Sequence, residues 1–298
     1  MKASLIINNY NYAHYLNEAI TSALQQDEAE TELIIIDDAS TDESLQVLEP
    51  WKSQARIIVH NTNLGQAAAF ESGIRAAAGD IICFLDADDI WLSNKVKETI
   101  HLFQKYPSAA WSAHPLEFFN QESGATEGLD PPRMPSGYVD WRNHTYPWSK
   151  FPTLPATSGL SFRRKFLLSL LPMPQLRISG DNFLKCACVA RAPGILSSIP
   201  GGRLRLHSGN AWTGRPKDTV DKSLDSIAVA VEVRKKLPSM RWWAWKHIAG
   251  SLTYIRRHES LSYWSAPGRL KQLPFLEQRW CQALALIHTL KHRLFSQS

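Results

Sequence analysis

Cysteine, glycine-rich loops and long apolar runs are all scarce in this chain. Its 298 residues hold four cysteines, Cys83, Cys186, Cys188 and Cys281, too few and too scattered for a disulfide scaffold. The Cys186-x-Cys188 pair has neither a second pair nor a nearby histidine with which to hold zinc. Reduced packing cysteines are expected. No Gly-x-Gly-x-x-Gly follows the first apolar run and no Gly-x-x-x-x-Gly-Lys-Ser/Thr occurs, which excludes a phosphate cradle of the dinucleotide or P-loop kind. No stretch reaches the roughly 18 uninterrupted apolar residues of a membrane span. "MKASLIINNYNY" turns polar too early for a secretory signal, so a cytoplasmic protein is expected. Neither an internal repeat nor a low-complexity tract is present.

What remains is globular content, 44% apolar and 20% charged, so disorder is not the default. The formal net charge of +5 hides an asymmetry. Residues 1–214 hold 18 Lys+Arg against 22 Asp+Glu, whereas residues 215–298 hold 15 against 6. The basic surplus belongs to the end of the chain. Because the larger part is acidic and no reader motif appears, nucleic acid is not an expected partner.

Residues 3–7, "ASLII", read as a buried strand. In "LNEAITSALQQ", Leu16, Ala19, Ile20, Ala23 and Leu24 recur at the steps of a helix with one buried face. "ELIIIDDAS", "RIIVH" and "DIICFLDADD" read as three more strands, separated by the helical stretches "TDESLQVLEPW" and "GQAAAFESGIRAAAG". Continuous apolar strands alternating with helices predict an α/β fold, a mostly parallel central sheet flanked by helices in the Rossmann-like manner. From about residue 111 the alternation gives way to loop-rich sequence dense in Pro, Gly and aromatics, a length usually functional. "LSFRRKFLLSLL" then reads as strand and helix, "ISGDNFLKCACVARAPG" as a turn entering a helix, and "ILSSIPGGRLRLHSGNA" as a closing pair of strands.

Ligands of such sheets lie beyond the carboxyl ends of the strands. Here those ends carry Asn8, Asn9 and Tyr10; Asp37 and Asp38; and Asp86, Asp88 and Asp89. Three carboxylates within four positions raise the cost of one another. One Asp suffices as a helix N-cap, so the cluster points further, to a divalent cation. A carboxylate ending the second strand can accept from a base N–H or a ribose hydroxyl. An Asp-x-Asp pair on the fourth can hold Mg²⁺ or Mn²⁺ against a diphosphate, since these cations bridge carboxylates and substrate phosphates through oxygen.

With "SLIINNYNYAHYLNEAITSAL", "ELIIIDDASTDES", "NTNLGQAAAFESGIRAAAGD", "FLDADDIW", "SGLSFRR", "SGDNFLK" and "LRLHSGNA" in this order, residues 3–212 resemble the family 2 glycosyltransferases, inverting enzymes of the GT-A fold. The resemblance implies a catalytic domain over 1–212, with a nucleotide-sugar-binding half (1–110) and an acceptor-binding half (111–212). A basic, Trp-rich helical extension over 213–298 follows. It implies that Asn9 and Tyr10 line the nucleoside pocket and that Asp37 or Asp38 reads the base or ribose. Asp86 would contact the ribose or the metal, and Asp88 would bind metal and diphosphate. Asp181 would be the catalytic base, taking the proton of an acceptor hydroxyl as it attacks the anomeric carbon. Where many relatives carry Pro-Thr this chain has Asn8-Asn9, and where many carry Glu-Asp it has Gly180-Asp181. His207 occupies a family position near the diphosphate and is a candidate third metal group. The expected cofactor is Mn²⁺ or Mg²⁺. The expected partners are a nucleotide-sugar donor, UDP-linked first of all, and a saccharide or lipid-linked glycan acceptor.

Read from residue type alone, Asp181 is also an N-cap for "NFLKCACVA", and Asn8 and Asn9 are ordinary turn residues. Arg203 and Arg205 alternate on one strand, facing either phosphates or solvent. Trp91, the 157–159 stretch with Ser158 and Gly159, and the aromatic loop at Trp141, Tyr146 and Trp148 are acceptor candidates by the stacking of aromatics on sugars, although core aromatics have the same composition. In the extension, Trp242, Trp243 and Trp245 flanked by Arg and Lys suit a surface that meets anionic lipid at the inner face of the cell membrane. A helical extension with a solvated basic face suits them equally. A nucleotidyltransferase and a non-catalytic sugar-nucleotide or glycan-binding module are the competing functions.

Overall fold

The four apolar runs are strands in the computed structural model, which describes residues 1–27, 30–142, 152–210, 219–258 and 270–295. They are β1 (Ala3–Asn9), β2 (Thr31–Asp37), β3 (Arg56–Val59) and β4 (Ile81–Asp86), parallel throughout and ordered β3-β2-β1-β4. The aliphatic centres of β1, β2 and β4 are buried, as a parallel sheet covered on both faces requires. The helices between them are α1 (Ala13–Leu24), α2 (Ser44–Leu48) and α3 (Gln66–Ala76). On α1 the side chains of Leu16, Ala19, Ile20 and Ala23 are buried, while Leu24 is exposed. The register aligns the strand tips, setting Asn9 opposite Asp37 and Asn8 opposite Asp86.

After the short β5 (Ile90–Trp91) and α4 (Lys95–Lys105) come β6 (Trp111–Ala113), β7 (Leu116–Asn120), β8 (Thr126–Asp130) and β9 (Gly137–Val139). The next elements are β10 (Leu160–Arg163), α5 (Arg164–Leu168), α6 (Gly180–Arg191), β11 (Gly194–Leu196) and β12 (Gly202–Leu206). The main sheet continues past β4 as β10-β6-β11-β9. Strand β10 is antiparallel to both neighbours, so the sheet is mixed, parallel over β3-β2-β1-β4 and again between β6 and β11. A second sheet has the order β5-β12-β7-β8. The expected closing pair of strands is corrected here: β11 and β12 do not pair. After Leu196 the chain turns through Pro200 and Gly201, and β12 joins β5 and β7 instead.

The chain divides into two compact units. One comprises Met1–Arg142, Pro152–Asp181 and Ala187–Gly214; the other comprises Asn143–Phe151, Asn182–Cys186 and Arg215–Ser298. The expected boundary at 212/213 lies outside the described residues, as do Tyr146 and Trp148. The second unit contains the helices α7 (Val220–Lys236), α8 (Arg241–His258) and α9 (Phe275–Phe295), packed through Ile227, Val231, Ala244, Ile248 and Leu252.

Beneath β4 and β10 lies a lysine with no carboxylate among its hydrogen-bond partners. Lys95 is 1% exposed, and its ammonium donates to Ser161 Oγ at 2.8 Å and Thr99 Oγ1 at 3.3 Å. Burial lowers its pKa from 10.5 to about 8. The same burial, with the charge of Lys95 second, keeps His114 neutral well below its ordinary range. Between pH 8 and 10.5 the unfolded chain binds more protons at Lys95 than the folded one, so stability at this site rises with pH across that window. The burial cost is complete below it. Lys95→Met, close in volume and uncharged, is expected to melt several degrees higher at pH 7, with the advantage shrinking toward pH 10.5. Thermal unfolding followed across pH 7 to 10.5 checks this.

Candidate active site

The tip of β4 carries the acids. Asp86 ends the strand, Asp89 N–H bonds back to the Asp86 carbonyl at 3.0 Å, and the turn presents Asp88 beyond a buried Ala87. Three like charges this close need neighbours, and each finds different ones. Asp86 Oδ1 accepts from Asn8 Nδ2 at 2.7 Å, and its amide donates to Ser158 Oγ at 3.1 Å. The Asp89 carboxylate, 1% exposed, accepts from the Ser158 hydroxyl at 2.5 Å and the Arg205 amide at 3.0 Å. On Asp88 both hydrogen bonds land on Oδ2, from His207 Nε2 and Asn210 Nδ2, each at 3.2 Å.

Burial, then the charge of Asp88, pushes the Asp86 carboxyl up to about 7, and the charge of Asp181 adds to the shift. Asp89 is raised for the same two leading reasons. The contribution from Asp181 places that residue, at the start of α6, within electrostatic reach of the β4 tip. The residues that bring it there come from α3. Gln66 N–H and Ala67 N–H donate to the Arg177 and Leu176 carbonyls at 2.9 and 3.2 Å, and Gly180 N–H donates to Gln66 Oε1 at 2.8 Å. Gly65 turns with φ +93°, and a Cβ there would fall 2.4 Å from Arg177 Cα, so only glycine fits. At Gly180, a Cβ would lie 3.0 Å from Ala67 N, so a side chain there would press on the start of α3.

Arg205, expected at phosphates or in solvent, is buried at 1% exposure. Its Nε donates to the Asp88 carbonyl at 2.7 Å, its remaining nitrogens reach Gln121 and Glu18, and its guanidinium lies 5.0 Å from the Tyr15 ring centre. Nothing in the local sequence marks it, because its partners lie 84 to 187 residues away. Ser158, Asn210 and Asp89 went unrecognised as positioning groups for the same reason.

Several expected contacts are corrected by burial. Trp91 is 3% exposed and its indole N–H donates to the Ser158 carbonyl at 2.8 Å, so it supports the turn from the core and offers no face to a sugar. Ser158 and Gly159 are buried behind the same turn. Trp141 packs against Trp111, ring centres 5.5 Å apart. Asn9, 2% exposed, donates to Asp37 Oδ2 at 2.7 Å. Asp37 is fully buried, its other oxygen held by Ser40 N–H, which leaves no edge for a base. Asp38, 3% exposed, accepts from Leu64 and Gly65 amides at 2.9 and 2.7 Å and pairs with His60 Nδ1 at 2.7 Å. Tyr10, by contrast, is 42% exposed and open to a ligand.

The metal expectation depends on donor chemistry. No group of three or more His, Cys, Asp or Glu side chains arranged to hold a metal occurs among the described residues. Asp86 and Asp88 fit a hard cation that takes one or two protein carboxylates and completes its shell with phosphate and water. His207 stands beside them, its Nε2 3.2 Å from Asp88 Oδ2. Its Nδ1 accepts from Gly209 N–H at 3.1 Å, which in the neutral ring leaves the proton on Nε2, aimed at Asp88. The histidine is a donor that orients the carboxylate.

The model of glycosyl transferase family 2 matches residues 4–156, half of the chain. An uncharacterised glycosyltransferase of Nostoc sp. is 34% identical over 244 residues, 76% of this chain and 72% of that protein. The chain belongs to glycosyl transferase family 2. It is a glycosyltransferase with an α/β fold of the GT-A type. The Escherichia coli UDP-Glc:α-D-GlcNAc-diphosphoundecaprenol β-1,3-glucosyltransferase WfgD is 36% identical over 103 residues, 34% of this chain and 41% of that enzyme. Among solved structures, Staphylococcus aureus TarS in complex with UDP-GlcNAc superposes with a TM-score of 0.63 at 17% identity, covering 97% of this chain and 89% of that one. The Pyrobaculum calidifontis mannosyltransferase PcManGT, in complex with GDP-Man and Mn²⁺, gives 0.56 at 16%, covering 97% and 86%. At these identities both are likenesses of fold.

Arg205→Lys keeps a charge but lacks the fork that reaches Asp88, Gln121 and Glu18 together. It is expected to cost about 1–3 kcal/mol of stability, read from urea unfolding. It is also expected to lower transferase turnover at least tenfold by freeing the Asp88 turn.

Proposed function

We propose that this glycosyltransferase is an inverting enzyme that moves a sugar from a UDP-sugar to a hydroxyl of a saccharide or lipid-linked glycan in one displacement. The observation that carries the reading is the pair Asp86 and Asp88 at the carboxyl end of the parallel strands, with the charge of Asp181 contributing to the upward shift of Asp86 after burial and Asp88. The name of WfgD gives a UDP-sugar donor and a diphosphoundecaprenol-linked acceptor, and TarS was solved with UDP-GlcNAc. Both support this donor and acceptor class.

The donor enters over the strand tips, with Tyr10 beside the nucleoside and its diphosphate at Asp88. A divalent cation held by Asp88 and Asp86 supplies the positive charge that stabilises the departing diphosphate. Asn8 and His207 fix the two carboxylates, and Arg205 fixes the backbone between them. Asp181 accepts the proton of the acceptor hydroxyl while that oxygen bonds to the anomeric carbon. The bond from that carbon to the diphosphate breaks on the opposite face, so the configuration inverts. The acceptor oxygen ends in the new glycosidic bond, the proton on Asp181, and the electron pair on the nucleoside diphosphate. Among the described residues no helix is long and apolar enough to cross a membrane.

Asp181→Asn is expected to leave UDP-sugar affinity within a few-fold while lowering turnover by about two to four orders of magnitude. Asp88→Asn is expected to weaken donor binding in the presence of Mn²⁺. Calorimetric titration of UDP and UDP-sugars, with turnover followed by UDP release, separates the two. Equal loss of affinity and turnover in Asp181→Asn would make that residue structural and overturn its role as base.

A further inference from the structure

The described residues of the second unit expose large apolar side chains at the beginnings of two helices. Trp242 of α8 is 38% exposed, and on α9 Phe275, Leu276 and Trp280 are 65%, 79% and 45% exposed. These form one surface, because the Trp242 and Trp245 rings lie 4.9 Å apart and Trp245 and Trp280 lie 6.4 Å apart, bridging the helices. Leu276 and Trp280 share a face of α9 by their four-residue spacing. A helix face this apolar in water marks a docking site.

The charges bordering it say what docks. The Arg241 guanidinium lies 5.9 Å from the Trp242 ring centre, and that of Arg279 lies 5.2 Å from the Phe275 ring centre. The one acid among these residues, Glu277, is turned inward, paired with Arg234 and accepting from Trp245 Nε1 at 3.1 Å. The surface is therefore aromatic at its centre and cationic at its rim, in a segment holding 15 Lys+Arg against 6 Asp+Glu. Indoles settle at the level of lipid headgroups while guanidinium groups stay with the phosphates. Each basic side chain near an anionic surface adds further attraction.

We infer that the starts of α8 and α9 form a docking surface for an anionic phospholipid membrane, with Phe275, Leu276, Trp242 and Trp280 inserted among the headgroups and Arg241 and Arg279 on their phosphates. None of these residues belongs to the acidic site, and binding to lipid needs neither donor nor acceptor. The lipid reading and the sugar-transfer reading therefore fail separately.

The test is co-sedimentation of the full chain with vesicles of phosphatidylcholine alone and of phosphatidylcholine mixed with phosphatidylglycerol. The chain is expected to bind the mixed vesicles preferentially and to be released by salt. The pair Phe275→Ser/Leu276→Ser and the pair Arg241→Glu/Arg279→Glu are each expected to lower partitioning by about tenfold or more. Their melting curves and their turnover on a water-soluble acceptor should be unchanged, since all four side chains are exposed. Equal binding to both vesicle types, no binding to either, or undiminished binding by both variants would overturn the inference. So would a dimer in solution that either variant dissociates, which would assign the surface to a second copy of the chain.

Discussion

Repulsion among three carboxylates on one turn is the constraint around which this site is built. Asp86, Asp88 and Asp89 cannot all be charged and buried without cost, and the fold answers with donors brought from far along the chain. Asn8 arrives from β1, Ser158 from before β10, and the Arg205 amide, His207 and Asn210 from β12 and the turn after it. These contacts explain why β12 leaves the main sheet to pair with β5. The strand following the acidic turn and the strand supplying its donors have to be neighbours.

A second chain of contacts links the tip of β2 to the segment before Asp181. Asp38 at the tip of β2 accepts from Leu64 and Gly65, Gly65 packs against Arg177, and the next residue, Gln66, holds Gly180. The left-handed Ser179, φ 57°, then sets Asp181 in the first turn of α6. The carboxylate expected to read a base thus connects, through these contacts, to the segment that carries the candidate base of the reaction. A shift in the loop after β3 would be felt at Asp181, although Asp38 and Asp181 have no direct contact in this chain of bonds.

Much of this was legible in the sequence, for reasons that separate the successes from the corrections. Apolar runs ending in Asn or Asp gave the parallel strands and the edge where the site lies, because strand periodicity and burial are local properties. The grouping of Asp86 and Asp88 was legible because like charges so close require an explanation. Asp37, Asn9 and Trp91 were misread because a carboxylate, an amide or an indole has the same composition whether it meets a ligand or another loop. Arg205 was illegible for the opposite reason. Its role as a clamp exists only in contacts that span most of the chain, and the alternation "RLRL" suggested a strand with one solvated face. In the second unit the basic tail and its tryptophans were readable, whereas the exposure of Phe275, Leu276 and Trp280 depends on how α8 and α9 pack.

The electrostatics of the site also bear on what a donor needs. A diphosphate approaching the β4 tip meets Asp86, Asp88 and Asp181 together. Arg205 is the buried cation of this turn, and its nitrogens are directed at the Asp88 carbonyl, Gln121 and Glu18 rather than outward. It therefore organises the acids without neutralising the space in front of them. A donor made only of phosphate and sugar would be repelled there, where burial and then the charge of Asp88 already push the Asp86 carboxyl up. A hard cation held by Asp86 and Asp88, as in the proposed reading, would supply the positive charge that offsets both.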